Sequence, residues 1–208
     1  MSTLKQRHDE VVRDLARSYE ARGFTVQVEA DIGEGRRADL LAKREGETVL
    51  VEVRVASSSP TDRALPTYAE LAQQNGWRFI IAVADAKNVD EIEIPTAEVV
   101  RTKIAEAKAL PLGSDAAVLI AWAVLESAAR LALVRSGRRV GRSTTPKGLV
   151  QELATLGRLT MAEERDLLSF VATRNRVAHG FWDTAPAHAA VSTVLALSER
   201  LLSGEAAE

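Results

Sequence analysis

Apolar positions divide the chain into a mixed first half and a wholly helical second half. Leu4, Val11, Val12, Leu15, Ala16 and Tyr19 recur at helical spacing, and Gly23 stands where such a helix would stop. Phe24, Val26, Val28 and Ala30 then alternate with Thr25, Gln27 and Glu29, the period of a strand. Residues 31–37, with Gly33 and Gly35, read as a connection. Two further strands, 38–44 and 47–55, flank a Glu45-Gly46 turn. Val49, Val51, Val53 and Val55 form one face of the second, and Leu50, Glu52 and Arg54 the other. A helix is expected over 67–75, because Pro66 would interrupt an earlier start. The apolar run 77–84 predicts a central parallel strand covered on both faces. Thr96 caps a helix running to Lys108, and Ala109-Leu110-Pro111-Leu112-Gly113 marks a domain boundary.

Beyond that boundary the strand signals vanish. Ser114 caps a helix to Arg135 that is apolar nearly all round, so it should be the most buried element. Thr145 and Pro146 open a helix ending at Gly157. Thr160 and Glu163 form a capping box, and Leu167, Phe170, Val171, Val177 and Ala178 share one stripe of the helix that follows. A last helix from Ala185 carries Val191, Val194, Leu195, Leu197, Leu201 and Leu202. Four helices with short connections imply an antiparallel bundle. The expected organisation is an α/β domain of order αβββαβ over residues 1–110 and an all-α domain over 111–208.

Composition narrows the chemistry. The 208 residues contain no cysteine, which excludes disulfides, thiolate zinc sites and cysteine nucleophiles. The N-terminus is polar and charged from Lys5, without a secretory apolar stretch, and the uncharged run 116–125 is short for a bilayer span. The expectation is a cytoplasmic protein that does not engage membrane. Net charge is −2 and unevenly spread: residues 1–110 carry 16 basic against 19 acidic side chains, and 111–208 carry 11 against 10. Between Ser127 and Gln151 there are six basic residues and no acid; Arg138, Arg139 and Arg142 are the candidate phosphate contacts, with a solvated loop as the plainer reading.

In the first half, a two-residue turn at Glu45-Gly46 pairs Arg44 with Glu47 and, continued, Asp39 with Glu52. Two carboxylates about 5 Å apart at Cβ need a cation or a proton between them. Asp39 followed by Glu52-Val53-Arg54, on this order of elements, resembles the PD-(D/E)xK restriction-endonuclease-like fold. The resemblance implies Mg²⁺ held by Asp39 and Glu52 with help from the intervening carbonyl, and Glu10 as an accessory acid on the first helix. Arg54 departs from the pattern, which has lysine there. Arginine stays protonated and cannot act as a base, so a salt-bridge cluster of Asp39, Arg54 and Glu52 on a vestigial nuclease fold is the alternative.

In the second half, Arg174 falls within the apolar stripe of its helix, where an unpaired cation would cost several kcal/mol. Arg174-Asn175-x-x-x-His179, with Gly180 behind it, resembles the Arg-x(4–6)-His motif of the HEPN superfamily. The resemblance implies a homodimeric, metal-independent endoribonuclease in which two copies of the motif share one cleft, without a cofactor. Arg174 would bind the phosphate, His179 move protons and Asn175 orient them; Glu126, four residues before Arg130, would pair with Arg130 or support Arg174. A structural strut of Arg174 with Glu126, and His179 as a helix cap, is the plain alternative. His8 and His188 read as solvated helix residues, and Trp182 as a candidate base-stacking ring.

Taken together, these readings imply a prokaryotic defence or toxin protein that cleaves RNA. DNA would be a further ligand for the N-terminal domain, and an antitoxin or regulatory partner would restrain the activity. The alternatives are a Mg²⁺-dependent deoxyribonuclease using Asp39 and Glu52, and a non-catalytic nucleic-acid-binding dimer.

Overall fold

The computed structural model describes residues 4–33, 35–55, 64–84, 89–138, 145–181 and 188–204. The chain divides into two compact units, residues 1–94 with 137–142, and residues 95–136 with 143–208.

The first unit is a five-stranded sheet of order β1-β2-β3-β4-β5: β1 (Thr25–Gly33), β2 (Arg36–Arg44), β3 (Glu47–Val55), β4 (Arg78–Ala84) and β5 (Val89–Ile94). Only β3 and β4 run parallel, as the apolar run of β4 led one to expect. Helix α1 (Leu4–Ala21) packs Val11, Val12, Leu15, Ala16 and Tyr19 against Leu40, Ala42, Val49, Val51, Val53, Ile80, Ala82 and Ala84 of one sheet face. Helix α2 (Leu65–Asn75) sets the Tyr68 ring edge-on to Phe79, ring centres 6.3 Å apart, on the alternate set of positions.

Three details differ from the sequence expectation. Pro66 lies in the first turn of α2 rather than before it; a helix's first amides lack intrahelical acceptors, so proline costs nothing there. β1 and β2 extend through most of 31–37, closing around Gly33 and Gly35 at φ +93° and +71°. β5 was not anticipated, and with it the αβββαβ reading is one strand short. Its residues Val-Asp-Glu-Ile-Glu-Ile carry three acids in six positions, and pairing with β4 holds them in place. Arg78 supports that pairing, its guanidinium bonding Glu93 of β5 at 2.7 and 3.0 Å and Glu47 of β3 at 2.5 Å. On the same face, the Tyr19 hydroxyl donates to Glu91 at 2.6 Å.

The second unit is helical: α3 (Ala97–Lys108), α4 (Asp115–Arg135), α5 (Pro146–Thr155), α6 (Met161–Ala178) and α7 (His188–Ser203). Among the described residues it has five helices where four were expected, because α3 packs against α4 and α7. The boundary expected at 110/111 therefore falls inside this unit. Thr96, Ser114, Thr145 and Thr160 each accept an amide hydrogen bond three residues on, which starts α3, α4, α5 and α6. Helix α4 touches all four others and is the buried element expected. By length and composition it could cross a membrane, and 67% of its most apolar stretch is buried within the unit. Leu119 and Ile120 are its large exposed apolar residues.

Candidate functional site

The β2–β3 ladder pairs Arg44 with Glu47 through Leu40 with Val51, the register the turn predicts; just past its last pair Asp39 meets β3 through its side chain, near enough for its charge to act on Glu52. Two neighbouring strands thus bring the acids together from 13 residues apart in sequence. Asp39 Oδ2 accepts the Val53 amide at 2.7 Å, across the strand gap. Glu52 is only 6% exposed. Its Oε1 accepts from Arg54 Nη1 at 2.6 Å, and the same nitrogen donates to the Val53 carbonyl at 3.1 Å. Among the described residues Glu52 Oε2 has no hydrogen-bond partner.

Burial first, and the Asp39 charge second, push the Glu52 carboxyl up to about 7, against the opposing pull of Arg54. Desolvation outweighs the ion pair because one guanidinium serves a carboxylate that has lost nearly all its water. Glu52 is consequently poised between its charged and neutral forms at neutral pH.

The first helix contributes a different residue from the one expected. Glu10 is exposed and lies 3.7 Å from Arg7 on the same helix. It is His8, read from the sequence as solvated, whose Nε2 stands 3.3 Å from Asp39 Oδ2, with Nδ1 3.4 Å from Asp9. Helical periodicity shows only that His8 avoids the core stripe. It does not show that the first turn of α1 docks beside the end of β2. Glu29, the β1 residue between the Val28–Leu40 and Ala30–Ala38 pairs, adopts φ +47° opposite Asp39. Such a left-handed non-glycine residue costs about 1–2 kcal/mol, and strain of this kind gathers at functional sites.

These residues do not fit Mg²⁺ as they stand. Of the oxygens that would ligate it, Glu52 Oε1 and the Val53 carbonyl are held by Arg54, and Asp39 Oδ2 by the Val53 amide. Among the described residues no three His, Asp or Glu side chains group closely enough to hold a metal ion.

The second candidate site lies at the C-terminal end of α6. The Thr160–Glu163 capping box is present in both directions at its start. Burial works to raise the Glu163 carboxyl, but bonds from the Thr160 amide and hydroxyl and from Arg200 together hold it below the ordinary range. At the other end the Gly180 amide bonds Val177 O at 3.0 Å and the Phe181 amide bonds Arg176 O at 3.0 Å, with Gly180 at φ +81°. That is the Schellman arrangement, and Arg176 lies 5.3 Å from the centre of the half-exposed Phe181 ring as its side-chain contact.

Arg174 and Asn175 are partly buried here and His179 is exposed at the helix cap. Arg174 Nη1 donates to Asn175 Oδ1 at 3.0 Å, while its Nε is buried without a hydrogen-bond partner among the described residues. Val177 is in the core, whereas Ala178, expected on the same stripe, is exposed where the helix ends. Glu126 pairs with Arg130 one turn along α4, the first of the two partners expected. Of the basic segment, Arg138 belongs with the first compact unit; Arg139 and Arg142, like Trp182, lie outside the described residues.

No curated protein matches the chain. A family model described as AHJR-like, REase_AHJR-like, matches residues 1–110, which takes in the whole sheet, α1, α2 and the acid pair. More than half of the chain is covered and the strand order places Asp39 beside Glu52, so the chain belongs to the REase_AHJR-like family of restriction-endonuclease-like proteins.

Proposed function

We propose that the chain is a homodimeric, metal-independent endoribonuclease whose restriction-endonuclease-like unit binds nucleic acid while the end of α6 cuts RNA. The family supports a nuclease, with DNA as one candidate ligand of the N-terminal unit. One observation carries the assignment of cleavage to α6. Arg174 keeps a buried, unsatisfied Nε and a guanidinium turned onto Asn175, at the helix end that presents His179. A half-buried cation in that state is suited to a phosphate, which accepts bidentate bonds from guanidinium.

RNA supplies its own nucleophile. The 2′-hydroxyl attacks the adjacent phosphorus, its proton leaves, and the 5′-oxygen departs with a proton. An imidazole is the side chain most often used for such proton transfers, and His179 would carry them. Arg174 stabilises the charge that builds on the phosphorane oxygens, and Asn175 orients the groups through its amide. His179 lies five positions after Arg174, about 7.5 Å of rise and roughly 140° around the helix. One chain therefore spreads the two groups apart, and a second copy would bring its His179 to the first chain's Arg174. Leu119 and Ile120, exposed on the otherwise buried α4, are the proposed dimer contacts. Such a protein fits a prokaryotic defence or toxin role, restrained by an antitoxin or other regulator, with Arg138, Arg139 and Arg142 on the RNA backbone.

Incubating the chain with RNA and with DNA, each with EDTA and with Mg²⁺, tests the reading. RNA cleavage that survives EDTA and is lost in His179→Ala supports it. Mg²⁺-dependent DNA cleavage lost in Asp39→Asn would instead favour the acid pair, whose unpartnered Glu52 Oε2 is the observation on that side. Binding without any cleavage would leave a non-catalytic nucleic-acid-binding dimer.

A further inference from the structure

Arg54 does more than replace a lysine. One of its nitrogens bonds two oxygens at once, Glu52 Oε1 at 2.6 Å and the carbonyl of Val53 at 3.1 Å. A side-chain carboxylate and the next main-chain carbonyl, beside the opposed acid of Asp39, are hard oxygen donors of the kind divalent cations prefer. The Arg54 side chain is 14% exposed, so it is packed into this position rather than swinging through solvent. Its guanidinium is permanently charged and planar, which lets it satisfy two acceptors without a second ion. A divalent cation at the same oxygens would face that charge at close range with little water to screen it. What remains is Glu52 Oε2, buried with no hydrogen-bond partner among the described residues, a donor atom left over once the guanidinium has taken its share.

We propose that Arg54 is a resident cation: it occupies the place of a divalent ion at the Asp39–Glu52 pair, and the unit gains a divalent-cation site only when this side chain is shortened. The proposal is independent of the α6 reading. It explains how two opposed acids persist on adjacent strands, and it makes the metal preference of this unit a property of one residue.

The test is calorimetric titration of the full chain with MnCl₂ alone, with thermal melts run alongside. The wild type should show no saturable binding at millimolar Mn²⁺. Arg54→Ala should bind one Mn²⁺ at least about tenfold more tightly than the wild type, should melt higher with Mn²⁺ than without, and should lose both effects when Glu52→Gln is added. Arg54→Met, which keeps the aliphatic stem, carries the same test if the alanine variant does not fold. Saturable wild-type binding that disappears in Glu52→Gln overturns the proposal. So does a folded Arg54 variant, with native circular dichroism, that binds Mn²⁺ no better than the wild type.

Discussion

Replacing Glu52 by glutamine removes a titration while keeping the side chain's shape. The Glu52 carboxyl rises from an ordinary 4.5 to about 7 on folding, because burial and Asp39 together outweigh Arg54. Between those values the folded chain holds a proton that the unfolded chain has released. Stability from this group is therefore full below pH 4.5 and is lost as pH rises through 7. A shift of that size corresponds to about 3 kcal/mol. Urea denaturation of both proteins from pH 5 to pH 8.5, followed by circular dichroism, reads it. The absolute difference includes the weaker bond that glutamine offers Arg54, but this offset is the same at every pH. The wild-type stability minus that of Glu52→Gln should therefore fall by roughly 2–3 kcal/mol across the range. Parallel curves would show that Glu52 does not titrate there. A difference that grows with pH would show that Arg54 holds the carboxyl down, and would refute the reasoning.

Other perturbations read separate parts of the structure. Tyr19→Phe removes the hydroxyl that donates to Glu91 and should destabilise the first unit by about 1–2 kcal/mol, measured by the same denaturation. Burial, and next the bond to Glu91, push the Tyr19 hydroxyl well above the usual phenol range, so its absorbance should not change in alkaline titration before the protein unfolds. Thr160→Ala breaks the capping box of α6 and should cost about 1 kcal/mol in thermal melts. Leu119→Asp with Ile120→Asp should leave the circular dichroism intact, since both residues are exposed, and should leave only monomer in sedimentation where the wild type sediments as the proposed dimer; no difference in mass would remove these residues from the proposed interface.

What could be read from the chain was whatever depends on neighbours in sequence. The hairpin register followed from one turn, and with it the meeting of Asp39 and Glu52. Four helix starts followed from a hydroxyl placed three residues before an amide. What escaped depends on contacts distant in sequence. β5 looks too acidic for a strand until Arg78 and Tyr19 are seen beside it. His8 belongs to the acid site only because α1 docks with its first turn near Asp39. Glu10, on the same helix, is turned instead toward solvent and Arg7. The substitution at Arg54 was visible, but its double bond to Glu52 and Val53 was not, since nothing in the residue order says where a guanidinium will settle.

Helix α6 is closed at both ends by bonds its own residues supply. It therefore behaves as a fixed ruler rather than a spring. Neither end can unwind a turn to bring Arg174 toward His179 without giving up bonds already made, so the backbone spacing between these residues is fixed. On the proposed dimeric reading, any control of their encounter has to come from outside the helix, through whatever sets one copy against another. A regulator of such a protein would act on assembly, leaving the shape of each chain untouched.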